Sequence, residues 1–202
     1  MKHYSKLKET RISSRTVFKG IVGVKFDTVK LVNGHTATRL YLDHKGASAV
    51  LPAEGDFVYL VQQYRYAVGK ITWEIPAGKR EEGQTFAQCA RAELKQEAGI
   101  TAKHLKKVLM FHPSNAFSSE ELHLFVATGL TFGKTNPDKD EFINLKKFSF
   151  DEAYRLLEKG KINDAKTVII LQWWKKGKFK MLKRLLCCNG GSCTAPKNRN
   201  LK

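Results

Sequence analysis

A chain of 202 residues and 22.9 kDa, 42% hydrophobic and 27% charged, is long enough for one well-buried core, and its composition excludes disorder throughout. A net charge of +17 and a pI near 9.8 predict anionic partners, whether a phosphate-bearing substrate, nucleic acid or an acidic membrane surface. Cys89, Cys187, Cys188 and Cys193 do not make a disulfide framework, because three crowd one short stretch, and they lack the paired spacing and nearby His of a zinc site.

Residues 1–10 carry Lys2, Lys6 and Lys8 and no apolar run, so no signal peptide is expected, and no stretch approaches the length of a membrane span. The cytoplasm is the expected location. Over residues 17–31 apolar residues alternate, with Val22, Val24 and Phe26 on one side and Lys25 and Asp27 on the other, as in a half-buried strand. Asn33-Gly34 predicts a tight turn into a second antiparallel strand over 36–42. Further strands are predicted at 47–51, 57–61 and 71–75, followed by a Gly-containing loop over 76–83. Phe86, Ala90 and Leu94 then recur four apart, with nothing to interrupt a helix until Gly99 ends it. Strands follow at 107–111, 122–126 and 142–148, and Ser149 with Glu152 forms a capping box for a helix to about residue 159. A last helix starts near Ala165 and runs into a basic segment, where Trp173, Trp174 and Phe179 are expected to pack; after residue 186 the chain reads as a disordered tail. The order predicts an α+β sandwich, with the Phe86 helix on one side of the sheet and the C-terminal helices on the other.

Chemistry is concentrated on the Phe86 helix. Glu93 and Glu97 are four residues apart and so differ by about 40° around a helix axis, which puts both carboxylates on one face. Like charges held this close repel unless a cation lies between them, and Mg²⁺ takes one or two carboxylates while waters and phosphate oxygens fill its other positions. An isolated pair of this spacing is more often a solvated helix face, so its surroundings decide.

Those surroundings are Glu74-Ile75-Pro76-Ala77-Gly78-Lys79, then Gly83, then Ala90-Arg91-Ala92-Glu93-Leu94-Lys95-Gln96-Glu97-Ala98-Gly99-Ile100. The run resembles the Nudix box, with Gly78, Glu93, Leu94, Glu97, Gly99 and Ile100 in register. Gln84, Ala92 and Gln96 depart from it, standing where Glu, Arg and Glu are usual. The resemblance covers residues 15–175 and is to the ADP-ribose pyrophosphatase group: Gln63-Tyr64-Arg65-Tyr66, the loop from Pro113 through Glu120, the acidic loop Asp138 to Ile143, and Asp164-Ala165-Lys166-Thr167 all have counterparts there.

The resemblance implies an α/β/α sandwich with a mixed central sheet and an N-terminal antiparallel hairpin. It implies one domain over residues 1–180, in which residues 1–43 form strands that join two copies as a homodimer, with a basic tail over 181–202. It implies metal-dependent hydrolysis of the pyrophosphate of ADP-ribose or a related nucleoside diphosphate sugar. Mg²⁺, with Mn²⁺ as alternative, would be held by Glu93, Glu97 and the carbonyl of Ala77. Glu141 would be the base, with Asp140 as substitute. Substrate would be contacted by Arg65, Glu74, Glu120 and Arg39, the last reaching from a second subunit, with Tyr64 and Phe117 as stacking candidates. Two other readings stay open: a catalytically weakened domain that binds nucleotide or RNA, motivated by Gln84, Ala92, Gln96 and the basic C-terminal third, and RNA cap hydrolysis on the same fold. Nucleic acid binding through the basic region is the less favoured partner.

Overall fold

The computed structural model describes residues 4–137 and 141–188, with side chains over 6–137 and 141–177. Strands β1 (Thr10–Phe18), β2 (Gly23–Lys30) and β3 (Thr36–Asp43) form a three-stranded antiparallel sheet. A seven-stranded mixed sheet contains β4 (Ala47–Glu54), β5 (Phe57–Arg65), β6 (Lys70–Glu74), β7 (Ala77–Lys79), β8 (Ile100–Phe111), β9 (Leu122–Phe132) and β10 (Asn144–Ser149). Helices α1 (Phe86–Ala98), α2 (Phe150–Glu158) and α3 (Ala165–Cys188) complete the architecture, which is the α+β sandwich expected.

The layout of the large sheet creates the site. Its main path is β10-β5-β4-β9-β8, with β4 and β9 parallel. β4 and β5 pair only at Ala53↔Val58 and Glu54↔Phe57, then diverge; β6 lines the freed edge of β5, and β7 that of β4. The Ile75-Pro76 link therefore crosses the fork between two central strands, and the Pro76 carbonyl accepts from the Val50 amide at 2.9 Å.

β4 is buried from Ala47 to Ala53, as a central strand covered on both faces must be. Ala49, Leu51, Leu60, Leu124, Ile170 and Leu171 belong to one core, which includes residues of α2 and α3. Val50, Tyr59, Phe125, Ala90, Leu94 and Ile100 form the other, which docks α1. Leu94 is 1% exposed, so Leu94→Ala is expected to cost about 2–5 kcal/mol in urea unfolding. A loss under about 1 kcal/mol would mean that α1 is not seated on the sheet.

Several sequence expectations change. The expected hairpin across Asn33-Gly34 is formed by β2 and β3, and β1, whose nine residues are all exposed, is a separate strand that adds a third antiparallel member to it. Asp27, read as an outward residue, is 5% exposed, with the Tyr41 hydroxyl 3.4 Å away and Arg11 at 4.0 Å, and it shares the buried side of β2 with Val29. β8 and β9 extend well beyond their predicted ends, and β7 lies within the predicted loop. Residues 181–188, read as tail, continue α3 as helix. Trp173 and Trp174 pack on the core as expected, whereas the side chain of Phe179 lies outside the described residues.

Candidate active site

Helix α1 is fixed at both ends by its own sequence. Thr85 caps it by accepting from the Gln88 amide at 3.2 Å, while Gln88 returns a bond to the Thr85 amide at 2.8 Å. Gly99 ends it at φ 65°, and a side chain there would meet the Gly133 carbonyl at 2.6 Å, so only glycine suits the position. The register sets Cys89, Ala90, Leu94, Glu97 and Ala98 into the protein. A carboxylate thus occupies a position that the helix pattern reserves for apolar side chains.

Glu97 is 4% exposed, and its Oε2 accepts from the Ala77 amide at 3.1 Å. Burial, with the charges of Glu93 and Glu141, pushes its pKa up to about 8, against the pull of the Ala77 hydrogen bond and Arg65. Glu93 lies against Gly78 so closely that a methyl group there would overlap its carboxylate, which explains why glycine follows Ala77. Glu93, Gln96, Glu141, Ala77 and Gly78 all line a cleft of about 1110 Å³, whose other wall includes Lys19, Lys25 and Lys45. The proposed substitute base, Asp140, lies outside the described residues.

A second cleft, of about 260 Å³, shares Ala77, Gly78 and Lys79 with the first and adds Arg65, Glu120 and Lys166. Beneath it Glu74 is 2% exposed and fully engaged. Its Oε1 accepts from Arg65 Nε at 2.8 Å and from Thr72 Oγ1 at 2.5 Å, and its Oε2 accepts from Arg65 Nη2 at 2.7 Å and from Lys166 Nζ. Burial alone would raise the Glu74 pKa, but Arg65, Lys166 and Thr72 outweigh it and hold the group at about 2. The ribose or base contact expected of Glu74 is therefore corrected: the side chain has neither free surface nor spare lone pairs, and it holds Arg65 and Lys166 instead. Sequence reasoning missed Lys166. Its signal is Asp164, whose carboxylate caps α3 through Thr167 at 3.0 Å and accepts from Lys166 at 2.9 Å, while Thr167 Oγ1 accepts from the Ile75 amide at 2.9 Å and ties α3 to the fork.

Other candidates lie apart. Arg39, on β3, pairs with Glu9 through Nε at 3.0 Å and lines neither cleft, and the same is true of exposed Tyr64 and Phe117. Arg91 does not replace the arginine missing at Ala92, because it donates to the Ala102 carbonyl at 2.8 Å. Gln84 serves the loop, accepting from the Glu81 amide at 3.1 Å.

The NUDIX domain family model matches residues 42–169, from the end of β3 into α3. The chain belongs to the Nudix family. The methanol dehydrogenase activator of Bacillus methanolicus is 36% identical over 170 residues, which cover 82% of this chain and 91% of the relative. The ADP-ribose pyrophosphatase of Bacillus subtilis (strain 168) is 35% identical over 83% of this chain and 92% of its own length. That of Escherichia coli (strain K12) is 32% identical over 80% and 85%. The crystal structure of an ADP compounds hydrolase shares the fold, with a TM-score of 0.73 at 22% identity, over 85% of this chain and 96% of that one. In this Nudix protein the box runs from β7 through α1 into β8, and the two carboxylates it retains are those that crowd Ala77 and Gly78.

Proposed function

We propose that this Nudix protein hydrolyses the pyrophosphate bond of ADP-ribose or a related nucleoside diphosphate sugar, giving a nucleoside monophosphate and a sugar phosphate. One observation carries the reading: Glu97 is a buried carboxyl held up at a pKa of about 8 beside Glu93 and Glu141, an arrangement that favours a cation. Among the described residues no three His, Cys, Asp or Glu side chains are grouped to hold an ion by themselves. The donors present therefore suit a hard ion that keeps water and substrate oxygens in its shell, as Mg²⁺ does, with Mn²⁺ as the alternative. Glu93, Glu97 and the Ala77 carbonyl would hold it.

Bound there, the ion would neutralise phosphate oxygens and lower the pKa of a water. The chain's own groups do the rest. Glu141, in the larger cleft, accepts a proton from the attacking water as the oxygen–phosphorus bond forms and the bridging bond breaks. Arg65 and Glu120, on the smaller cleft, orient the remainder of the substrate. A panel of nucleoside diphosphate sugars, with products separated by chromatography with and without Mg²⁺, tests the reading; absence of turnover across the panel contradicts it.

The N-terminal sheet supports a homodimer, because Ile12, Phe18 and Leu40 are 56%, 60% and 59% exposed. Sedimentation is expected to show a dimer and Phe18→Asp a monomer, with reduced activity if Arg39 serves the partner's site. An unchanged mass in Phe18→Asp would remove this surface from the interface. We place the protein in the cytoplasm; no helix among the described residues is long and apolar enough to cross a membrane. A second reading, a weakened domain that binds nucleotide or RNA, is favoured by Gln84, Ala92 and Gln96. It predicts tight binding without turnover, and RNA affinity that falls steeply with salt.

A further inference from the structure

A diphosphate that approaches Glu93, Glu97 and Glu141 brings negative charge to negative charge, so the cations able to receive it matter. Most cations of the two clefts are already taken. Arg65 uses Nε and Nη2 on Glu74, and Lys166 is shared between Glu74 and Asp164. In the larger cleft Lys45 pairs with Glu82 at 2.9 Å, Lys25 with Asp43 at 3.8 Å, and Arg80 donates to the carbonyls of Lys45 and Gln84. The guanidinium fork that the sequence assigns to phosphate is thus directed at a protein carboxylate.

Lys79 differs in two respects. Its exposed side chain has no hydrogen bond or ion pair among the described residues, and it lines both clefts. It ends β7 directly after Ala77-Gly78, and its backbone is held opposite Ala47 in the sheet. Lys19 is also without an ion pair, but it lines only the larger cleft.

We propose that Lys79 binds the substrate's diphosphate where it passes over β7, between the acidic groups of the larger cleft and the Arg65–Glu120 side. This rests on the pyrophosphatase reading and adds the residue that receives the phosphate charge. A flexible ammonium suits the task, since it is a compact charge that can follow phosphate oxygens as they move.

Calorimetric titration tests the assignment, using a non-hydrolysable methylene-bridged analogue of ADP-ribose and, separately, adenosine. Lys79→Ala is expected to weaken the analogue roughly tenfold or more, the size of one lost charge-assisted hydrogen bond, and to leave adenosine binding unchanged. Lys79→Arg is expected to keep most of the affinity. Lys95→Ala, an exposed α1 lysine on neither cleft, is expected to match the wild type. Equal analogue affinity in Lys79→Ala and wild type overturns the proposal while leaving the pyrophosphatase reading intact. If the wild type neither binds the analogue nor turns over ADP-ribose, the reading itself falls, and the role of Lys79 with it.

Discussion

Glu97→Gln is expected to lower turnover of ADP-ribose by on the order of 10³-fold or more, the scale seen when a group that stabilises transition-state charge is lost. The same substitution is expected to stabilise the metal-free protein at alkaline pH. Glu97 titrates near 8 in the folded protein against an ordinary value of 4.5, so between these values the native state holds a proton that the unfolded chain has released. Stability therefore falls as pH rises through that window, and glutamine, which has no proton to lose, removes the fall. At pH 8 without metal the variant should melt roughly 5–10 °C higher than the wild type, which corresponds to a few kcal/mol in a chain of this size. At pH 5 the two should melt together. Mg²⁺ should then raise the melting temperature of the wild type far more than that of the variant. Parallel melting curves across pH 5 to 8 would show that Glu97 carries no such strain.

Glu74→Gln is expected to destabilise the fold by about 3 kcal/mol near neutrality, from the difference between its pKa of about 2 and an ordinary 4.5. Its sign is opposite to that of Glu97. The folded pKa is lowered, so the stabilisation is present above pH 4.5 and disappears as pH falls towards 2. Urea unfolding of wild type and variant should thus differ most at pH 7 and converge near pH 2. Much of the cost should come through Lys166, whose side chain is only 11% exposed and would lose one of its two carboxylate partners; Arg65, at 42%, can turn to water. A gap that stays constant from pH 7 to pH 2 would falsify the ionic account of Glu74.

What could be read from sequence follows from where the physics is local. Helix α1 was legible because Phe86, Ala90 and Leu94 carry its period and Gly99 its stop, and the capping box of Ser149 and Glu152 announced α2 in the same way. Thr85 and Gln88 repeat that signature with glutamine in the acidic place. β1 was not legible because all nine of its residues are exposed, so no alternation of apolar and polar residues marks it. β7 was hidden by its length of three residues and by Pro76 and Gly78, which read as loop.

The site divides along the same line. Glu93 and Glu97 are neighbours on one helix, and their meeting with Ala77 follows from the loop preceding it. Glu74 was misread because its partner Lys166 is 92 residues distant. Its spacing in sequence says nothing of a fork between β4 and β5 that buries it beneath Arg65. Arg65, expected to meet phosphate oxygens, lines the smaller cleft with its fork turned to Glu74, a consequence of that long-range pair.

Diffraction from crystals soaked in Mn²⁺, recorded for anomalous signal, tests the central claim most directly. A peak within coordination distance of the Glu93 and Glu97 carboxylates and the Ala77 carbonyl is the predicted result, and it should vanish in Glu97→Gln. Full occupancy elsewhere on the molecule, with both carboxylates left unliganded, would contradict it.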